Sequence, residues 1–226
     1  MRARPHLVLA TTVVLAGLFG SGTAAAQSTC DSLAGTLGSD QTCHVEAAGA
    51  GYEVDLSLPH GYPDQQALTD YLVPLRGDFI EFAQSGPVHD RPYTLTATPT
   101  TYRSGAGTES VVIQLSQDAD PHPVSWYRAF NYDLGSHAPI TLDTLFTPDV
   151  RPMDVAFPAV RHELEKRWQP EVLAEMLGDV DDDTFANFAL TDDAVIFFFG
   201  QGQLLGHPEG PLEVSVPRAA LAPWLA

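Results

Sequence analysis

Two stretches of the chain alternate apolar and polar residues in the two-residue period of a half-buried strand. Over residues 52–58, Tyr52, Val54, Leu56 and Leu58 fall on one face and Glu53, Asp55 and Ser57 on the other. Leu212, Val214 and Val216 alternate with Glu213 and Ser215 and stop at Pro217. Between them the period changes. Leu68, Tyr71, Leu72, Leu75, Phe79 and Phe82 recur at spacings of three and four, one face of a helix. Pro63 is placed to open that helix, with Asp64 in its first turn, where a negative charge suits the helix dipole. Pro74 lies inside the pattern and predicts a kink or a shortened helix. Ser85-Gly86-Pro87 closes it.

Three strand-like segments follow at residues 93–102, 110–117 and 124–132, separated by turn-forming runs, and predict an antiparallel meander. A second helix is expected with Pro158 in its first turn and Phe157, Val160, Leu164 and Trp168 on its buried face. Glu163 and Arg167 form an i,i+4 pair on its outer face. Pro170 stops it, and a short helix follows over residues 171–177. Residues 187–199 read as a hairpin turning at Asp192-Asp193. Its second strand, Val195-Ile196-Phe197-Phe198-Phe199, is apolar on both faces, so it is expected to be a central strand covered on both sides. A short helix over residues 218–225 closes the chain. The class is α+β, a twisted, mainly antiparallel sheet with packed helices.

Composition narrows the setting. The chain has 226 residues, 44% of them apolar, and a formal charge of −18 from 11 basic and 29 acidic residues. That supports a globular core and disfavours nucleic acid, which requires a basic face. Residues 1–26 have the layout of a secretory leader: Arg2 and Arg4, an apolar stretch over residues 7–19, then Ala24 and Ala26. The stretch is shorter than the roughly 20 residues of a membrane span. Cleavage before Gln27 leaves a charge of about −20 and no transmembrane segment. The expected product is a secreted single domain over residues 27–226, extracellular or cell-wall associated, and a monomer. In such a chain the two cysteines, Cys30 and Cys43, are expected to pair.

The chemistry is sparse. There is no Gly-x-Ser-x-Gly elbow, Ser-x-x-Lys pair or phosphate-binding glycine loop. His162-Glu163 begins like a zincin, but Lys166 stands where the second histidine belongs. Asp179, Asp181 and Asp183 have calcium-loop spacing, but Thr184 replaces the required Gly and Leu190 the required Glu, so a solvated acidic loop is expected. No metal or cofactor is expected. Asp120, His122 and Ser125 lie close together and are residue types of a hydrolytic triad, with Asp143 an alternative acid. Tyr62, Asp64, Tyr71, Trp126 and Tyr127 are candidates for a binding groove.

Several segments carry a resemblance. They are Cys30 and Cys43, Leu58-Pro59-His60-Gly61-Tyr62-Pro63-Asp64-Gln65, His122-Pro123, Tyr127-Arg128-Ala129-Phe130, the run from Ile140 to Phe146, and the run from Asn187 to Asp193 leading into Ile196-Phe197-Phe198-Phe199. With Gly210-Pro211 and Val216-Pro217-Arg218, they resemble the secreted immunogenic proteins of mycobacteria over the whole mature chain. The C-terminal half also resembles the RsiV-type extracellular domain, which divides the chain into lobes of about residues 27–135 and 136–226. The resemblance implies a β-grasp-like arrangement and an exported protein that binds a host or lysozyme-like protein partner without established catalysis. One branch of the family has been described as esterase-like, sharing the run from Tyr62 to Tyr71. In that alternative, a short-chain ester hydrolase, His122 is the base, Ser125 the nucleophile, and Asp120 or Asp143 the orienter.

Overall fold

The computed structural model describes residues 28–85, 91–105, 107–119 and 122–226. The expected leader and Asp120 lie outside them. In chain order the elements are α1 (Thr29–Ser32), β1 (Thr36–Leu37), β2 (Thr42–Gly49), β3 (Tyr52–Pro59), α2 (Gln65–Ser85), β4 (Tyr93–Ser104), β5 (Thr108–Asp118) and β6 (Val124–Asp133). Then come β7 (Ala138–Pro139), α3 (Leu142–Leu145), α4 (Pro152–Leu164), α5 (Pro170–Met176), β8 (Phe188–Leu190), β9 (Ala194–Phe199), β10 (Leu212–Pro217) and α6 (Arg218–Leu221).

Strands β1 to β7 form one sheet in sequence order, and β10-β9-β8 form a second. Among the described residues only β3 and β4 pair in parallel. Parallel neighbours need a crossover, and α2 supplies it. The expected meander is β4-β5-β6, antiparallel throughout. The class is therefore α+β with a mainly antiparallel sheet, as the patterning indicates.

Period-two alternation decides which layer meets which. Val111, Ile113 and Leu115 of β5 pack into one core with Leu68 and Leu72 of α2. Val112 points the other way and meets Ile196 and Phe198 of β9. Val195, Phe197 and Phe199 face the opposite side, toward Val160 and Leu164 of α4. Strand β9 is thus central in its sheet and covered on both faces, as its five-residue apolar run predicts. The sheets are also stitched by polar groups. Ser110 Oγ accepts from the buried Leu190 N–H at 3.1 Å, Asn131 Nδ2 donates to Phe188 O at 2.9 Å, and Asn187 Oδ1 accepts from Ala129 N–H at 2.9 Å. The first two bonds occupy backbone groups of the short β8 strand, and the third occupies one of β6, that would otherwise lack a partner.

Cys30 and Cys43 are bonded, joining α1 to β2. Gly35 is required beside them, because a Cβ there would lie 2.6 Å from Cys43 Sγ.

Several local expectations change. Helix α2 begins at Gln65, and Asp64 precedes it, accepting from Ala67 N–H at 3.1 Å. It runs unbroken through Pro74 for 21 residues. Pro74 and Asp70, whose carbonyl loses its partner, are both exposed, so that carbonyl lies on the solvent side of the helix, where a missing donor costs least. Phe82 is half exposed rather than buried and stacks on Tyr93. Helix α4 opens at Pro152, so Pro158 lies inside it on an exposed turn. Because α4 ends at Leu164, Arg167 falls beyond it, and the ion pairs are Arg161–Glu165 and Lys166–Glu163. Pro170 opens α5. The closing helix is one turn, α6.

Candidate functional site

Strand β6 builds the site by alternation. Trp126, Arg128, Phe130 and Tyr132 share its α2-facing side. The Arg128 guanidinium lies 5.1 Å from the Tyr71 ring centroid and 5.5 Å from that of Phe130, within cation–π range of both. Tyr71 Oη accepts from Trp126 Nε1–H at 2.9 Å, which fixes both rings. Tyr62, 3% exposed, meets Phe130 and Tyr132 edge-on at 6.5 and 6.4 Å. Burial pushes its phenol well above the ordinary tyrosine range, and the charges of Asp64 and Glu109 push the same way. Tyr62 is therefore a neutral wall at physiological pH.

Of these, Tyr62, Tyr71, Arg128 and Phe130 line a cleft of about 580 Å³, completed by the β7–α3 segment and by the acidic loop before β8. That is the size of a small-molecule or side-chain pocket. Five carboxylates line it: Asp64, Asp70, Asp143, Asp182 and Asp183. Each is placed by its element. Asp64 caps α2. Asp70, one turn on, accepts from Gln66 Nε2 at 2.6 Å. Asp143 sits in the first turn of α3, whose start is held by Thr141 N–H donating to Thr144 Oγ1 at 2.8 Å. Asp182 accepts from Met153 N–H at 2.9 Å, tying its loop to α4. Among the described residues Arg128 is the single cation in the lining and forms no ion pair.

Asn131 also lines the cleft and is 5% exposed. Its amide nitrogen is spent on Phe188 O, while its Oδ1 is buried and has no partner. Among the described residues no three His, Cys, Asp or Glu side chains gather closely enough to hold a metal ion. The described lining contains no serine, cysteine or histidine. Its chemistry is that of acceptors and rings, suited to holding a donor-rich, positively charged group.

The sequence candidates divide. Tyr62, Asp64, Tyr71 and Asp143 come together in the cleft. Trp126 reaches it through Tyr71. Tyr127, one residue on, points to the other face and packs 5.2 Å from Phe198. His122 is exposed in the turn before β6. Ser125 Oγ donates to Ser116 Oγ at 3.1 Å across the β5–β6 ladder. Neither lines the cleft. Arg128, Asn131 and Asp182 join the lining in addition. A charged residue at the centre of an apolar strand face, Trp126-x-Arg128-x-Phe130, is the signal that points to Arg128.

Comparison with known proteins follows the same lines. The family described as protein of unknown function (DUF3298) matches residues 143–219. Over 222 residues the chain is 40% identical to the esterase Rv3036c of Mycobacterium tuberculosis, covering 96% of this chain and 98% of that one. It is 39% identical to the immunogenic protein MPT64 of M. tuberculosis over 223 residues, 97% of each chain, and equally to MPB64 of M. bovis. Two crystal structures of DUF3298-family proteins share the fold at 14% identity. One is from Pseudomonas aeruginosa (TM-score 0.60, 82% of this chain and 94% of that one). The other is from Bacteroides fragilis (TM-score 0.55, 82% and 92%).

Proposed function

This chain belongs to the family of the mycobacterial immunogenic protein MPT64, and on that premise we propose that it works outside the cell by binding a host or cell-wall-associated protein, without catalysis. The carrying observation is the cleft: fixed aromatic walls and five carboxylates, with no serine, cysteine or histidine in its described lining. Export is supported by the leader-like residues 1–26 and by the Cys30–Cys43 bond, which suits an oxidising compartment. No helix among the described residues is long and apolar enough to cross a membrane. On this reading the first lobe, to about residue 135, contributes about half of the lining, with Asp64 and Asp70, and the RsiV-like lobe from about 136 the rest, with Asp143, Asp182 and Asp183. The test is turnover of short-chain nitrophenyl esters by the oxidised mature protein. Hydrolysis no faster than that of an equally acidic control protein is expected, and clear turnover overturns the reading.

A second reading rests on the 40% identity to a protein named as an esterase. There His122 is the base, Ser125 the nucleophile, and Asp120 or Asp143 the orienter. It requires Ser125 to leave Ser116 and turn to an imidazole. Under this reading, His122→Ala and Ser125→Ala each lower turnover by roughly a thousandfold or more. Full activity in both variants removes the assignment.

A further inference from the structure

We propose that residues 138–144 form a movable strap between the cleft and a second cavity behind it, and that the C-terminal residues 224–226 are its latch. The strap is a wall shared by two voids. Pro139 and Ile140 line both the cleft of about 580 Å³ and a rear cavity of about 370 Å³. Thr141, Leu142 and Asp143 belong to the cleft side, and Ala138 and Thr144 to the rear. The rear cavity is bounded elsewhere by Thr108 of β5, Leu190 of β8 and the C-terminal Leu225 and Ala226. A wall with open space on both sides gives up dispersion contacts on both faces, so little packing holds it in one place. None of residues 138–144 is buried, whereas Leu145 and Phe146, which follow at once, are 5% and 2% exposed and anchor the strap in the second core.

The hydrogen bonds fit the same picture. Within the strap they are local: Thr141 N–H donates to Thr144 Oγ1 at 2.8 Å, and Leu145 N–H to Thr141 O at 2.9 Å. Toward the sheet, the strap is held by the two-residue β7 and by Ile140 N–H, which donates to Asn131 O at 2.8 Å. Pro139, half of β7, has no N–H to give the ladder. The far end is fixed by the C-terminus. Ala226 N–H donates to Leu145 O at 3.0 Å, Thr147 N–H donates to Trp224 O at 2.8 Å, and Phe146 pairs antiparallel with Leu225. The consequence falls on the cleft, whatever occupies it. Leu142 and Asp143 ride on the strap, so a shift into the rear cavity widens the cleft. It also carries Asp143 away from Asp64 and Asp70, which α2 holds in place.

The test is native-state amide hydrogen exchange on the mature, oxidised protein labelled with 15N. It compares the Ile140 and Leu145 amides with those of the central strand β5. Both strap amides are hydrogen-bonded, yet each should exchange at least about a hundredfold faster than the β5 ladder, because the strap opens without the rest of the fold. Two variants then move the rate in opposite directions. Ala138→Leu places a larger side chain in the rear cavity and should slow Ile140 exchange at least about tenfold, by filling the space into which the strap shifts. Ending the chain at Pro223 removes the latch and should speed Ile140 and Leu145 exchange at least about tenfold while leaving β5 unchanged. Should the truncation loosen the whole molecule, seen as faster β5 exchange, the Ala138→Leu comparison alone decides. Three outcomes overturn the proposal: strap amides as protected as β5, Ile140 exchange unchanged or faster in Ala138→Leu, or a folded truncation whose strap exchanges as the parent does. The measurement is made on the free protein, so its failure leaves the binding reading to its own assay.

Discussion

Asp181 and Thr184 show how far a single side chain controls its surroundings. Thr184 Oγ1 donates to Asp181 Oδ1 at 2.8 Å and Thr184 N–H does so at 3.0 Å, which holds the Asp181 carboxyl below the ordinary carboxylate range. A depressed folded-state value contributes stability above the unfolded carboxylate range, and this is lost as pH falls through the folded value. Thr184→Val removes the hydroxyl donor, so the Asp181 carboxyl is expected to titrate closer to the usual 3.8, read by carboxyl-carbon NMR. An unmoved titration would show that the backbone N–H alone sets it. Tyr102 works at the other end of the pH scale. Burial and the nearby charges of Glu213 and Tyr127 push its phenol up to about 12. A raised tyrosine value leaves stability intact below about pH 10 and removes it as pH rises toward the folded value. Tyr102→Phe is therefore expected to move the alkaline unfolding midpoint, followed by circular dichroism, to higher pH.

Elements explain both what the sequence reveals and what it conceals. The all-apolar run Val195 to Phe199 is legible because a strand buried on both faces has no polar positions to spare. Phe198 sits against Tyr102, Tyr127 and Val112, so Phe198→Ala is expected to cost about 3 to 5 kcal/mol in chemical unfolding, the usual range for a buried phenylalanine. The prolines depart from their expected places for one physical reason. Their penalty depends on whether the carbonyl four residues back faces water, and the chain alone does not say so. Pro74 stands on an exposed turn of a 21-residue helix, so Pro74→Ala should stabilise α2 by about 1 to 3 kcal/mol. A destabilised variant would mean that the proline is needed for α2 to fit the sheet. The cleft was half legible for a related reason. Tyr62, Asp64 and Tyr71 lie within ten residues of one another around the start of α2, and their grouping is local. Asn131 and Asp182 join them only through the packing of one sheet on the other, and no spacing rule encodes that. Trp126 and Tyr127 are adjacent in sequence yet separated by the thickness of the sheet, because neighbouring strand residues point to opposite faces.

At the scale of the molecule, two hydrophobic clusters, one around α2 and the seven-stranded sheet and one around α4 and the three-stranded sheet, meet along a narrow apolar strip. The strip is small, so the side-chain bonds from Ser110, Asn131 and Asn187 carry much of the coupling between them. Ser110 is fully buried and is the acceptor for the buried Leu190 N–H. Ser110→Ala leaves that donor unpaired and is expected to cost about 1 to 3 kcal/mol. Because the bond spans both clusters, its loss should also loosen their cooperation. Parent protein is expected to unfold in urea as one transition whether followed by Trp126, which lies in the first cluster, or by Trp168, which packs on the second. Two single-tryptophan series make that comparison direct. In the Ser110→Ala background the Trp168 transition is expected to move to lower urea than the Trp126 transition. The Cys30–Cys43 bond restrains the first cluster alone, closing a loop that stabilises by about 3 kcal/mol in the chain-entropy model. Reduction should therefore reverse the order, lowering the Trp126 transition more than the Trp168 one. Coincident transitions in every background would show that the apolar strip alone binds the two halves into one cooperative unit.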